Sequence, residues 1–231
     1  MFAKTEGSDV ADYDEPIWLR PERAATGRPA VRSRPEITAA ALAVADGKGL
    51  EMVSMRNVAA ELGTGAASLY RYVSSRDDLL DLMVDATAGD IRLEPPTGDP
   101  VGDLVAVGEG MYAVMARHRW LPELVLTRPS LGPNGVRVLD HVLEVLEDHS
   151  GDGAAKLEIF ALLNAVVATF ALNERAAADR PRQAVAYLGH VAATGDHPRI
   201  AAVLSDLAAA KVSVEERRKA ALTKLLSGLL N

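Results

Sequence analysis

The sequence predicts an all-α fold, with an N-terminal domain of three helices followed by a C-terminal helical bundle. Two features of its composition favour helices over a β-sandwich or barrel: aromatic residues make up only 4% of the 231 residues, and alanine is abundant. The third observation is periodicity, because apolar residues recur at helical spacing from residue 33 onward, and no segment reads as a credible strand.

Composition and charge limit the class of protein. The chain has 25 basic and 32 acidic residues, a net charge of −7, and no cysteine. The lack of cysteine excludes a disulfide scaffold, a zinc ribbon and a thiol nucleophile, and it fits a reducing compartment. The N-terminus lacks the apolar core of a signal peptide, and the most apolar run, 159–172, is shorter than the roughly 20 residues of a membrane span. We therefore expect a cytoplasmic protein without a membrane partner.

Three regions follow one another along the chain. Residues 1–32 combine acidic residues, prolines and scattered arginines without a sustained period, which predicts a flexible N-terminal arm. Its short apolar piece, 17–19, has the composition to dock on a surface. Residues 33–93 are predicted to form the first helical domain. The proline- and glycine-rich stretch 94–100 is the strongest break in the chain, so residues 101–231 are predicted to form the second domain.

Each helix of the first domain has a sequence signal at its start or end. Ser33 begins a capping box with the glutamate three residues later. A second helix is predicted to begin at Ser54 and to end at Gly63, where the backbone needs a left-handed residue. A very short apolar segment, 66–73, comes next. Ser75 then begins a further helix with a capping box of its own.

The second domain is predicted to be helical throughout. Its helix over 154–178 is apolar on nearly all sides and must be covered on more than one face. Together with the last helix, 214–230, it has more apolar surface than one small bundle hides, so both are candidates for a dimer interface. The charged run 215–219 is interpreted as the solvated beginning of that last helix. The other predicted helices lie near residues 104–115, 136–146, 182–192 and 198–209.

The segment 54–72 has the organisation of a helix-turn-helix. Two short helices are joined by a glycine turn, and Leu69 and Val73 are expected to hold the second, which is too short to be stable alone. A short, supported helix fits the roughly 12 Å wide major groove of DNA. The residues predicted to face outward from the second helix are small or hydrogen-bonding: Ala66, Ala67, Ser68, Arg71 and Tyr72. Three further residues are candidate phosphate contacts: Arg56, Tyr70 and Arg76.

Charge supports a nucleic-acid interface only modestly. Residues 28–78 contain seven basic and six acidic residues and net +1, while the remainder of the chain nets −8. An acidic protein binds DNA when its basic groups face one way. A plain helical hairpin inside a bundle has the same periodicity and the same glycine turn. The pattern alone therefore leaves both interpretations open.

Residues 33–85 strongly resemble the DNA-binding domain of the TetR family of one-component bacterial regulators. The most specific element is the run Leu69-Tyr70-Arg71-Tyr72-Val73 after a small-residue turn. The resemblance continues more weakly over residues 121–135, into the C-terminal domain shared with tetracycline repressor. Further matching residues are Ala40-Ala41-Leu42, Gly49-Leu50, Ser54-Met55-Arg56, Val58-Ala59, Glu61-Leu62-Gly63 and Asp78-Leu79-Leu80.

This resemblance implies a homodimer that binds a near-palindromic operator in double-stranded DNA and is released when a small-molecule effector enters the C-terminal domain. The implied function is repression. A ligand-dependent activator, and a small-molecule-binding helical protein that keeps the helix-turn-helix without using it, are the alternatives. In the family, the counterparts of Tyr70 and Arg76 contact phosphates. The residues implied to contact DNA are Arg56, Thr64, Ala66, Ala67, Ser68, Tyr70, Arg71, Tyr72 and Arg76.

The effector pocket is expected where polar groups interrupt apolar helical faces of the second domain. Asn164 stands out because a buried amide needs partners, either a ligand or a backbone group at the dimer seam. The histidine that helps hold the drug's magnesium in tetracycline repressor corresponds to Leu124 here, so tetracycline–magnesium is not the expected effector. The candidate pocket residues, each of which could equally be plain core, are Met111, Met115, His118, Trp120, Arg128, Phe160, Asn164 and Phe170.

Catalytic motifs are missing from the sequence. It has no Gly-Lys-Ser/Thr phosphate loop, no His-Glu-x-x-His pair and no nucleophile elbow. Its five histidines make no metal-ligand pattern. We therefore expect a protein that is not an enzyme and needs no metal or cofactor.

Overall fold

A computed structural model describes residues 15–20, 32–128, 130–179, 183–209 and 212–230, and within these ranges every regular element is a helix. The predicted all-α fold is confirmed. The chain divides into two compact units, residues 1–86 and 87–231. The helices are α1 (Arg34–Lys48), α2 (Met55–Glu61), α3 (Ala66–Leu69), α4 (Arg76–Ala88), α5 (Pro100–Arg117), α6 (Leu121–Thr127), α7 (Pro133–Val145), α8 (Gly153–Asp179), α9 (Gln183–Ala193), α10 (Pro198–Ala209) and α11 (Val214–Leu229), with a 3₁₀ turn at Leu50–Met52.

The first unit is built on α1, α2 and α3, the three helices predicted for the helix-turn-helix domain, and on most of α4. Its helix starts confirm the predicted caps. The Ser33 hydroxyl accepts from the amide of Glu36, and Ser54 caps α2 in the same way. The Ser75 hydroxyl accepts from the amide of Asp78 at 3.0 Å. Fully buried aliphatic side chains from all four helices form the core: Ile37, Val44, Val58, Leu69 and Leu79.

The boundary between the units lies at residue 86, earlier than the predicted break at 94–100. Arg137 of α7 gives the physical reason. Its guanidinium donates to the carbonyl oxygens of Ala88, Gly89 and Ile91 at 3.3–3.4 Å. These carbonyls lie at the C-terminal end of α4 and directly after it, where the helix supplies few amide partners. The proline-rich stretch therefore lies inside the second unit and not at its edge.

The prediction that residues 1–32 form a flexible arm is wrong for residues 15–20. That short segment is packed against the first unit, and Ile17 is only 2% exposed. Burying one large aliphatic side chain is worth about 1.5–3 kcal/mol, which offsets part of the cost of ordering this segment. Arg32 at the other end of the arm is also held, because it donates to the carbonyl oxygen of Leu62 at 2.8 Å. The rest of the arm, 1–14 and 21–31, lies outside the described residues.

The second unit is organised around α5, which packs against α7, α8 and α11, while α6 packs against α8. Gly108 permits the close approach of α5 to two of them. A Cβ atom at this position would lie 3.1 Å from a Leu163 methyl of α8 and 3.3 Å from a Leu222 methyl of α11. Both leucines are fully buried. The absence of a side chain at Gly108 is therefore part of how the three helices close the core.

The apolar run 159–172 was judged too short to span a membrane, but the helix that contains it is longer than the run. The α8 helix is 27 residues long, because charged residues and alanines on both sides of the apolar run, which favour helix, continue it. By length and composition alone, its residues 153–176 could cross a membrane. The predicted burial is also incomplete: Leu163 and Val167 are buried, but Leu157 and Leu162 are exposed. One face of α8 thus builds the core, and another remains uncovered in the single chain.

The α9 and α10 helices pack against each other as a helical hairpin. Side chains over residues 186–190 are all exposed. Within the described part of the chain, the hairpin presents four large apolar side chains to solvent: Tyr187, Leu188, Val203 and Leu207. These side chains and the outer face of α8 form the apolar surface that a lone copy leaves open.

Candidate functional site

The turn between α2 and α3 takes the tight form that its glycines predict. Gly63 has φ 65°, in the left-handed region that favours glycine, and directly follows the last turn of α2. The amide of Thr64 donates to the carbonyl oxygen of Ala59 at 2.9 Å, which closes the turn. The hydroxyls of Thr64 and Ser68 are hydrogen-bonded at 3.0 Å, joining the turn to α3. The start of α3 is therefore fixed relative to α2.

The α3 helix itself is only four residues long, shorter than the predicted segment 66–73. Turn hydrogen bonds continue it, because the amides of Tyr72 and Val73 both donate to the carbonyl oxygen of Leu69, at 2.9 and 3.0 Å. Leu69 and Val73 are fully buried and α3 packs against α2, as predicted. Packing thus supports a helix that could not persist alone.

The outer side of α3 and its continuation carries the polar groups expected to face DNA. Tyr70 is 55% exposed, and Arg71, Ala67 and the Arg56 side chain of α2 are exposed as well. Among the described residues, neither arginine forms a hydrogen bond or an ion pair with the protein. Thr64, Ala66 and Ser68 are half-buried at the start of the helix. We call the exposed set formed by Arg56, Ala67, Tyr70 and Arg71 the reading surface.

Tyr72 does not face outward as predicted, because it is only 8% exposed. The reason is helical spacing. Tyr72 lies three residues after Leu69, and residues three and four apart share one face of a helix. The inward positions of Leu69 and Val73 therefore bring the tyrosine ring to the inner side. The same spacing could have been applied to the sequence.

Arg76 is also placed differently from expectation. Its Nε donates to the carbonyl oxygen of Val53 at 2.8 Å, and its Nη2 donates to that of Leu50 at 3.2 Å. Its guanidinium therefore joins the start of α4 to the 3₁₀ turn between α1 and α2. The role of Arg76 as a phosphate contact stays a prediction.

The candidate pocket residues lie on α5, on α8 and on the segment around α6, elements that pack together. Met111, Met115 and Trp120 are buried, and the His118 and Trp120 rings are 5.7 Å apart. Phe160, Asn164, Phe170 and Arg128 are half-buried. The amide nitrogen of Asn164 donates to the carbonyl oxygen of Phe160, one turn earlier in α8, at 3.0 Å.

An ion-pair network in the second unit was missed by the sequence reading. Arg218 of α11, assigned to a solvated helix start, is only 7% exposed. Its guanidinium binds Glu109 of α5 through two hydrogen bonds of 3.0 and 2.9 Å and Glu174 of α8 through one of 3.0 Å. It also lies 3.4 Å from the ring centre of Tyr112. The signal was its spacing, four residues before the buried Leu222.

Tyr112 completes this network, because its hydroxyl donates to the Glu174 carboxylate. Burial and this hydrogen bond together raise the pKa of Tyr112 above its usual value. The bonds to Glu109, followed by that to Glu174, raise the pKa of Arg218. The network therefore holds one cation and two carboxylates between three helices. No cluster of potential metal ligands occurs in the part of the chain that the structure describes.

Two family models and several known proteins match this chain. Residues 37–83 match the family model described as bacterial regulatory proteins, tetR family, and residues 94–231 match the one described as tetracyclin repressor-like, C-terminal domain. The chain is 38% identical over 152 residues to a transcriptional repressor, DrrR1, of Streptomyces coeruleorubidus, covering 62% of this chain and 54% of that protein. It is 34% identical over 147 residues to a transcriptional regulator of Saccharopolyspora erythraea, covering 63% of this chain and 62% of that one.

These alignments span between half and two thirds of the relatives' own lengths. Among solved structures, the Streptomyces coelicolor protein ActR in complex with actinorhodin superimposes with a TM-score of 0.74 at 26% identity, covering 87% of this chain and 96% of that one. The two family models together cover the helix-turn-helix unit and the helical second unit. The chain therefore belongs to the TetR family of bacterial regulatory proteins.

Proposed function

We propose that this protein is a cytoplasmic, one-component repressor that binds a near-palindromic DNA operator as a homodimer and releases it when a small molecule binds the second unit. The observation that carries the proposal is the reading surface. Tyr70 and Arg71 are exposed at the end of a helix whose other side is fully packed. A helix held in this way presents side chains to DNA without the cost of ordering its backbone on binding.

The chemistry of the reading surface suits the major groove. Ala66 and Ala67 at the start of α3 allow close approach and can contact a thymine methyl group. Tyr70 and Arg56 are proposed to contact phosphates, which fixes the register of the protein on the duplex. Arg71 is a guanine reader or a further phosphate contact. Two such helices in a dimer must lie one DNA turn apart, about 34–36 Å, to occupy successive grooves.

The partner that makes this spacing possible is a second copy of the chain. The outer face of α8 leaves Leu157 and Leu162 exposed, and the α9–α10 hairpin leaves Tyr187 and Val203 exposed. Exposed apolar side chains on neighbouring turns are typical of a protein interface. Sedimentation at micromolar concentration should give twice the chain mass. Leu162→Asp should shift it toward the monomer, whereas Ala106→Asp, at an exposed position of α5, should not.

The effector is proposed to bind among α5, α6 and α8, near Met111, Trp120 and Phe160. These side chains offer apolar and aromatic surface beside the polar groups of His118 and Arg128. The similarity to ActR, a protein solved with actinorhodin, and to a protein named as a repressor supports a ligand-released repressor. No metal or cofactor is needed in this proposal.

The decisive experiment measures binding to a labelled duplex that the wild-type protein enriches from a random-sequence pool. Tyr70→Ala and Arg71→Ala should each weaken binding at least tenfold, about 1.4 kcal/mol, because each removes a contact to the duplex. Lys48→Ala is the matched control, since Lys48 is exposed and, within the described part of the chain, its ion-pair partner is Glu61, at 3.4 Å. If all three variants bind the duplex as tightly as the wild type does, the reading surface is wrongly assigned.

Two alternatives have their own readouts. A carrier that keeps the helix-turn-helix unused enriches no duplex, and its DNA binding shows no steep salt dependence. A ligand-dependent activator binds the duplex but raises transcription from it in vitro when effector is added. Repression predicts the reverse: transcription is low with the protein and recovers when effector is added.

A further inference from the structure

Residues 15–20 form a short strap on the surface of the first unit. The strap is closed by a turn in which the amide of Leu19 donates to the carbonyl oxygen of Pro16 at 3.0 Å. Ile17 points into the unit and is buried, whereas the Leu19 side chain is 68% exposed. One buried apolar side chain therefore anchors the strap, and its polar contacts determine which parts of the first unit it joins.

Arg20 at the end of the strap binds the start of α4. Its Nη1 donates to the Asp78 carboxylate at 2.9 Å and lies 3.4 Å from the Ser74 hydroxyl, while its Nε donates to the carbonyl oxygen of Glu15. The side chains of Arg20 and Asp78 are only 17% and 11% exposed. The same Asp78 oxygen accepts from the amide of Ser74 at 3.2 Å. The ion pair thus fixes the turn that leads from α3 into α4.

Arg34 of α1 makes a second link between the strap and that turn. Its Nη1 donates to the carbonyl oxygens of Ile17 and Arg20, at 3.1 and 2.9 Å. Its Nε donates to the carbonyl oxygen of Tyr72 at 3.0 Å. One guanidinium therefore joins the strap to the residue directly after Tyr70 and Arg71.

We propose that the strap is a positioning element for DNA binding, which holds the backbone over residues 72–78 and so fixes the direction of Tyr70 and Arg71. The proposal rests on the proposed function of the reading surface. Arg20 acts through Asp78 and does not itself contact DNA. Its partial burial and its three bonds within the unit leave it turned toward protein.

The central test compares full-length variants on the enriched duplex. Arg20→Ala should weaken binding about tenfold, since a turn freed at one end must be ordered again when DNA binds. Leu19→Ala, an exposed position of the same strap, is the matched control and should bind as the wild type does. Arg20→Lys keeps the charge beside Asp78 and should recover most of the affinity. Arg20→Ala affinity equal to wild type would overturn the proposal.

A double-mutant cycle ties the effect to the ion pair. In a background that carries Asp78→Ala, the further change Arg20→Ala should alter affinity less than twofold, because the pair is already broken. Additive losses would mean that Arg20 acts elsewhere. Circular dichroism at the assay temperature selects variants that remain folded, and Arg20→Gln replaces Arg20→Ala should the latter unfold.

Two readouts separate positioning from other roles. Amide hydrogen exchange at Ser74 should speed up in Arg20→Ala, while exchange at Val58 in the middle of α2 stays unchanged; faster exchange at both would indicate general destabilisation and would overturn the proposal. A direct phosphate contact by Arg20 would change the salt dependence of binding by about 0.9 log units per log unit of salt for each subunit. Positioning predicts no change in that slope.

Failure of the strap can be told apart from failure of the proposed function. If Tyr70→Ala and Arg71→Ala weaken binding but Arg20→Ala does not, the reading surface stands and the strap has no role in DNA binding. If neither group of variants matters, the reading surface itself is wrong. Trp18 supplies a further probe in a Trp120→Phe background, because release of the strap should make its fluorescence more accessible to iodide.

Discussion

Replacing Arg218 by methionine should destabilise the second unit by about 3 kcal/mol, because it leaves two partly buried carboxylates without their cation. The arginine makes three charge-assisted hydrogen bonds of 2.9–3.0 Å, two to Glu109 and one to Glu174. Methionine has a similar volume and packs well in an apolar site, so the loss measures the network and not a cavity.

The magnitude follows from the burial of the partners. Removing one member of a buried ion pair costs about 3–5 kcal/mol, and we expect the lower end here. The Glu109 and Glu174 side chains are 25% and 28% exposed, so water recovers part of the lost interaction. Loss of the contact with the Tyr112 ring adds a smaller cost, about 0.5–2 kcal/mol at most.

The assay is urea unfolding at fixed protein concentration, followed by the fluorescence of the buried Trp120 in a Trp18→Phe background. A triple variant, Arg218→Met with Glu109→Gln and Glu174→Gln, is the matched control. It removes all three charges and should regain at least half of the lost free energy of unfolding. The reasoning is refuted if Arg218→Met alone changes that free energy by less than about 0.5 kcal/mol, the usual range for surface substitutions.

The remaining predictions concern pH and one glycine. The pKa of Tyr112 is raised above 10.0, so the neutral hydroxyl is favoured in the folded protein. The contribution of Tyr112 to stability should be complete below pH 10.0 and should be lost as pH rises through the folded pKa. In Tyr112→Phe, stability should fall less over this pH range. The pKa of Glu216 is lowered below 4.5, chiefly by the backbone amide of Ser213. The contribution of the Glu216 carboxylate to the cap should therefore be lost as pH falls through that lowered pKa. Carbon-13 NMR titration of the carboxyl group measures this pKa, and a midpoint at 4.5 would contradict the prediction. Gly63→Ala should cost about 1–2 kcal/mol in thermal unfolding, since alanine at φ 65° is strained, while Gly153→Ala, at the start of α8, should not.

Local signals in the sequence were sufficient for the helices, because a cap or a C-terminal glycine acts within a few residues. Ser33, Ser54 and Ser75 each accept the bond that their spacing predicted, and Gly63 has the positive φ. The pairing of Arg20 with Asp78 could not be found in this way, because 58 residues separate the two. Such contacts depend on tertiary packing, which no local period encodes.

The candidate site was predictable in outline, but Tyr72 was wrongly expected to face outward, and the contacts of Arg76 with protein were not foreseen. The positions of Leu69 and Tyr70 followed from the helix-turn-helix pattern, one inward and one outward. Tyr72 and Arg76 were judged by residue type, since a tyrosine and an arginine beside a proposed DNA surface look like contacts. The helical spacing from Leu69 buries Tyr72, and the carbonyl oxygens of Val53 and Leu50 accept hydrogen bonds from Arg76.

The number of basic residues in the sequence overstates how many are free to contact DNA phosphates. Of the seven basic residues over 28–78, Arg28 lies outside the described residues, and four others are engaged with protein: Arg32 and Arg76 with carbonyls, Arg34 with the strap and Tyr72, and Lys48 with Glu61. Arg56 and Arg71 are exposed and, among the described residues, form no hydrogen bond or ion pair with the protein.

If these two arginines of each subunit neutralise phosphates, a dimer releases counterions from about four contacts. The logarithm of the operator affinity should then fall against the logarithm of salt concentration with a slope of about −4. Arg56→Ala and Arg71→Ala should each make that slope shallower by about 2, because each change removes one contact from both subunits. Lys48→Ala should leave the slope as it is. A wild-type slope of about −8 or steeper, unchanged in both arginine variants, would mean that the engaged arginines leave their carbonyls on binding, and that the protein surface rearranges when DNA arrives.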